Sequence, residues 1–110
     1  MGDDETTVER LKGMVKAFAK ARNWDPYHTP KNLSMALAVE AAELMEIFQW
    51  RTPEESQLIC HQASEKQAIA DELADIFCLL LQLSFRCGID LSLAIRDKMP
   101  RNELKYPVPE

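Results

Sequence analysis

Glycine is nearly missing from this chain, at 3 of 110 residues. A turn-rich β fold draws on glycine at its tight turns, so this scarcity, beside abundant Ala, Leu, Glu and Lys, favours helices. An excess of positive charge is missing too. Lys and Arg number 13 against 18 Asp and Glu, for a formal charge of −5 at pH 7. No basic cluster is large enough to reverse that field locally, so a phosphodiester backbone is repelled and nucleic acid is not an expected partner. Cys60, Cys78 and Cys87 form an odd set without C-x-x-C spacing; buried free thiols in a reducing cytosol are expected, not a disulfide framework. Nor is there a long hydrophobic run. The longest, IFCLLLQLSF, falls short of the ~20 residues a membrane span needs. MGDDETTVER lacks the basic and apolar regions of a signal peptide. It meets the loose Gly2 acylation pattern, but its acids read as a solvated tail. The expected location is cytoplasmic, with no membrane partner.

What is present is ordinary globular composition, 46% hydrophobic and 28% charged. A chain of this length makes one domain with one core, burying roughly 60–70% of its unfolded surface. Residues 1–110 are read as that single domain, with 1–5 and 107–110 as flexible tails. The fold class expected is all-α, of four-helix-bundle type. A first helix spans about Thr6 to Arg22, with Leu11, Met14, Val15 and Phe18 along one face. NWDPYHT breaks it. Thr29 then caps a helix that starts with Pro30 and runs to about Trp50. Thr52, Pro53 and Glu55 form a capping box for a short helix to about His61. Ser64 with Gln67 reads as another box, opening a long helix that ends near Cys87 with Gly88 as its left-handed cap. Asp90 caps the last helix, where Pro100 should kink or restart the chain.

Between Leu73 and Leu83 the long helix is apolar nearly all round. One neighbour cannot bury such a helix, and a single chain offers few others, so a homo-oligomer is expected, dimer or tetramer, most simply with two-fold symmetry.

Two pairs of acids stand apart from the solvated charges. On a helical wheel with Leu37 at zero, Leu33, Ala41, Leu44 and Phe48 fall within about 40°, Glu40 roughly 60° to one side, and Glu43 about 60° beyond. Glu46 points away. In ADELADIF, Glu72 and Asp75 repeat the three-residue spacing, with Ile76, Leu79 and Leu83 beside Glu72. Such pairs are common on solvated faces. An ionised Glu40 beside apolar neighbours, however, needs a partner. Four carboxylates converging from two helices repel unless protonated or bridged, and an all-oxygen set suits Mg²⁺, Mn²⁺ or Ca²⁺ rather than zinc.

E-x-x-E at 40 to 43 followed by E-x-x-D at 72 to 75 resembles the motif of the MazG-like, all-α nucleoside triphosphate pyrophosphohydrolases. RNWDPYHTPKN, FQW and KMPRNELKYP resemble further segments of its dCTP pyrophosphatase branch, in order, over roughly residues 10 to 108. The resemblance implies a MazG-like fold with helices packed across a homo-oligomer interface. It implies that Glu40, Glu43, Glu72 and Asp75 hold Mg²⁺, with Mn²⁺ a possible substitute. Trp24, His28 and Trp50 would border a nucleobase, and Lys98, Asn102 and Tyr106 would reach phosphate in their own or a neighbouring subunit. Physically, the tryptophans suit stacking on a base, with His28 and Asn32 as possible readers of its edge. The implied reaction is attack of water on the α-phosphorus of a nucleoside triphosphate, dCTP or a modified nucleotide, releasing pyrophosphate; Glu40 and Glu43 are the expected catalytic carboxylates, with Glu40 as base. The chain departs from the branch at Leu79, where the branch has tyrosine, at Val15, where it can have histidine, and at Pro100; the first two bear on base specificity. Rival readings are a same-superfamily enzyme for dUTP or phosphoribosyl-ATP, and a non-catalytic helical oligomerisation module.

Overall fold

Local signals lay out the helices before packing acts. Thr7, Thr29, Thr52 and Asp90 each accept a hydrogen bond from a backbone N–H three residues on, which sets four helix starts. The computed structural model describes all residues 1–110 and is wholly helical, with α1 (Val8–Ala21), α2 (Pro30–Phe48), α3 (Pro53–Ile59), α4 (Ala63–Arg86) and α5 (Leu91–Lys105). A 3-10 turn, Asp25–Tyr27, links α1 to α2. The Thr52 and Glu55 capping box is complete, and the Thr52 N–H holds the Glu55 carboxyl below its usual range.

The Ser64 box does not form. α4 opens two residues earlier, behind Gln62, without a side-chain cap, and the Ser64 hydroxyl bonds to Glu65 at 2.8 Å. Once Ser64 lies inside the first turn, it has no free N–H of the right register to accept.

Two helix ends position the site. At the end of α1, Asn23 takes φ 57° while Trp24 N–H donates to Ala19 O at 3.0 Å and Asn23 N–H to Lys20 O at 3.1 Å. This is a Schellman motif with asparagine, which tolerates the left-handed region better than most residues. Gly88, at φ 66°, makes the matching motif after α4, with Ile89 N–H on Ser84 O at 2.8 Å.

α5 continues through Pro100 as one helix, so the expected restart is absent. An Arg101 to Asp97 ion pair of 2.7 Å spans the proline. The missing N–H still weakens the helix interior, so Pro100→Ala should raise the melting temperature, by up to ~3 kcal/mol in stability; calorimetry checks this.

α2 and α4 form the main pairing, α1 lies along α4, and α5 touches the rest only sparsely. The core is small. Only Ala19, Leu33, Ile59 and Leu81 among apolar residues are buried, while Met35, Val39, Leu73, Phe77, Leu80, Leu93, Ile95 and Met99 are exposed. The radius of gyration, 16.7 Å, exceeds the about 13 Å of a tightly folded chain of this length. The cysteines are free, but Cys78 and Cys87 are exposed, against expectation; apolar flanks do not bury a side chain whose helix face lacks a neighbour. No single helix is long and apolar enough to cross a membrane.

Candidate active site

The α2 and α4 pairing brings the two acidic motifs together. One carboxylate oxygen from each of Glu40, Glu43 and Glu72 lies within 4.8 Å of the others. Asp75 is outside this tight set, yet it lines the adjoining groove and its charge acts on Glu40. Glu40 and Glu72 are half-buried, and an oxygen of each is sealed from solvent with no hydrogen-bond partner. Burial, and then the closeness of the Glu72 carboxyl, push the Glu40 carboxyl above its usual range; contact with Glu40 does the same to Glu43. Buried polar atoms are almost always paired. Crowded, unpartnered, oxygen-only donors fit a hard divalent cation.

Beside the acids runs an apolar groove of about 630 Å³, walled by Met14, Val15 and Phe18 of α1, Leu79 and Gln82 of α4, and Trp24 with His28 between α1 and α2. Its acidic end is Glu40 and Asp75. Trp24 stands edge-on to Phe18, with ring centroids 5.4 Å apart, and 6.0 Å from His28. The Schellman turn sets where this indole emerges. Arg86 fixes the next turn, pairing with the Asp25 carboxylate at 3.0 Å and its carbonyl at 3.1 Å. His28 Nδ1 is buried without a partner at the groove wall.

The remaining expected residues lie elsewhere in the single chain. Asn32 donates its amide to Tyr27 O at 3.0 Å and does not line the groove. Trp50 is 89% exposed, beyond the end of α2. Lys98 and Tyr106 are exposed on α5 and at its end, and Asn102 Nδ2 rests 3.8 Å from Met99 Sδ. None of these five residues lines the groove of its own chain. Two groove residues were not singled out from the sequence, Ala36 and Gln82; Gln82 is the only amide in the run IFCLLLQLSF, and that break in an apolar run was the available signal.

This geometry has counterparts. A pyrophosphatase from Archaeoglobus fulgidus superposes with a TM-score of 0.85 at 36% identity, over 98% of this chain and 99% of that one. The dCTP pyrophosphatase 1 of Rattus norvegicus is 38% identical over 104 residues and that of Homo sapiens 39% over 103. Each match takes in 94% of this chain but 61% of the relative, so the chain spans about three-fifths of their length. The MazG-like family model matches residues 35–110, which include all four acids of the paired motifs. With an all-helical fold, two acidic motifs facing across α2 and α4, and that match over most of its length, the chain belongs to the MazG-like family.

Proposed function

We propose that this protein is a nucleoside triphosphate pyrophosphohydrolase, splitting its substrate between the α- and β-phosphates into a monophosphate and pyrophosphate. The observation that carries this reading is the set of three carboxylates within 4.8 Å, opening onto an apolar groove with an aromatic wall. Pyrophosphatase and dCTP pyrophosphatase relatives support it, and dCTP is the first substrate to try.

Glu40, Glu43 and Glu72, with Asp75 beside them, would hold Mg²⁺, or Mn²⁺ in its place. When bound, the cation supplies positive charge against the triphosphate and lowers the pKa of water. Without that charge, a protein of net charge −5 repels a polyanion. The chain's own groups do the rest. Trp24, held edge-on by Phe18, offers its face to a base, and His28 offers an unpartnered ring nitrogen. Apolar walls from Val15, Phe18 and Leu79 exclude water around the sugar and base. Glu40, whose proton affinity is raised first by burial, is positioned to accept a proton from the attacking water.

Trp50, Lys98, Asn102 and Tyr106 belong to this reading as contributions from a neighbouring subunit, because the exposed α4 and α5 faces leave room for one. The compartment proposed is the cytoplasm.

Incubation with dCTP, dUTP, dATP, dGTP, dTTP and phosphoribosyl-ATP, with and without Mg²⁺, tests the reaction. Pyrophosphate should appear in equal amount with the monophosphate, only with metal. Orthophosphate as the first product rejects the cleavage point, and no product from any substrate rejects the function.

A further inference from the structure

Gln82 is 4% exposed, yet it lines the groove. Its Nε2 donates to the Val15 carbonyl of α1 at 3.0 Å. A carbonyl only accepts, so this contact fixes which way round the amide sits and leaves Oε1 as the free end. Oε1 has no partner. Its groove neighbours Val15 and Leu79 carry no side-chain donor, and the only hydrogen bond that Gln82 makes through its side chain is the one to Val15. A buried acceptor in that state calls for a donor from whatever fills the groove.

The spacing along α4 says which part of a ligand would supply it. Asp75, Leu79 and Gln82 succeed one another along one helix face, and seven residues of helix separate Asp75 from Gln82 by about 10 Å. That is comparable to the separation of the α-phosphate from the far edge of a nucleobase. With phosphates at the acidic end, Gln82 meets the base.

We propose that Gln82 Oε1 accepts a hydrogen bond from an exocyclic amino group, making Gln82 the residue that selects an amino-bearing base over its keto counterpart. This rests on the reading of the groove as a nucleotide site. Cytosine presents such an amine where uracil presents a carbonyl, and a carbonyl there would set two acceptors against each other. Sites built around a required hydrogen bond reject the analogue that lacks it far more strongly than apolar pockets sort by size.

The test compares dCTP with dUTP hydrolysis and, without metal, dCMP with dUMP binding followed by Trp24 fluorescence. The unmodified protein should favour the cytosine member by about a hundredfold in kcat/KM, and should bind dCMP about tenfold more tightly than the 2-pyrimidinone nucleotide, which has hydrogen in place of the amine. In Gln82→Leu and Gln82→Met the preference should shrink to about threefold or less. Equal losses on both substrates in these variants mean a purely structural α1 to α4 link and overturn the proposal. So does an unmodified protein indifferent to the amine, a measurement that requires no variant to fold. If no triphosphate is split but dCMP binding remains amine-selective and dependent on Gln82, the hydrolase reading fails while this inference stands.

Discussion

If the proposed function holds, a protein carrying Glu72→Gln should split dCTP about a thousandfold more slowly, roughly 4 kcal/mol of lost transition-state stabilisation, and should no longer gain thermal stability from Mg²⁺. Glu72 belongs to the set within 4.8 Å and keeps an unpartnered buried oxygen, so the amide removes both a charge and a ligand. A ligand that binds only the folded state stabilises it, by ~2.7 kcal/mol at a hundred times Kd, and this gain is what the variant forfeits. The same substitution relieves repulsion among the metal-free acids. Metal-free Glu72→Gln should therefore melt above the metal-free unmodified protein, a reversal that simple damage to the fold cannot produce. Glu46→Gln, on the same helix as Glu40 but exposed, should change neither activity nor metal response. Retention of full activity and full Mg²⁺ stabilisation in Glu72→Gln would remove these carboxylates from the mechanism.

Acidity gives a second handle on that cluster. Glu40 and Glu43 have folded-state proton affinities raised above the ordinary 4.5. Between that value and the raised one, the folded state binds more protons than the unfolded state, so stability falls as pH rises through the window. Metal-free protein should lose melting temperature over that interval on the alkaline side of pH 4.5, and Mg²⁺ should abolish the loss. An unchanged slope with saturating Mg²⁺ would mean that the cation sits elsewhere.

The parts of this molecule legible in the sequence are those set within a few residues. Thr29 before Pro30, Thr52 with Glu55, Asp90 and Gly88 mark helix ends where the structure has them, because a cap bonds to backbone only three or four positions away. Ser64 and Gln67 match the same pattern without capping anything, since the pattern does not say where the helix begins. The facing acids were legible through their three-residue spacing in two amphipathic segments. Of the groove's other wall, Trp24 and His28 were named through the family resemblance, and spacing alone pointed to neither. Gln82 bonds to Val15 across 67 positions of chain, and Trp24 owes its place to Asn23 in a left-handed conformation and to Arg86 pairing with Asp25. Such contacts depend on how α1 and the 3-10 turn settle on α4, which no local spacing encodes. Periodicity likewise identified α4 as apolar all round but not which face its own chain leaves open, so Cys78 was expected to be buried.

That open face leads to the second large effect: Phe77→Asp should convert an oligomer into a monomer. Leu73, Phe77 and Leu80 recur at helical spacing along α4 and remain 52%, 39% and 38% exposed. The chain presents 8801 Å² to solvent, against about 6,200 Å² for a monomeric protein of its mass, an excess on the order of 2,600 Å². Covering that excess on both chains of a dimer would bury about 5,200 Å² in total, at the upper end of the roughly 2,000–5,000 Å² and more of obligate interfaces, which asks for partners over this stripe and over the bare α5 residues Leu93, Ile95 and Met99 together. Each large apolar side chain so covered contributes about 2 kcal/mol, and a buried, unpaired aspartate would reverse that contribution at every copy. Sedimentation should give a multiple of 12.6 kDa for the unmodified protein and for Phe77→Leu, but the single mass for Phe77→Asp, with a melting temperature lower by at least about 10 °C. Activity should fall with the mass if, as proposed, Trp50, Lys98, Asn102 and Tyr106 act on a neighbour's groove. An unmodified protein that sediments at 12.6 kDa while turning over substrate would show that one α2 and α4 pair suffices, and those four residues would then have no part in the reaction.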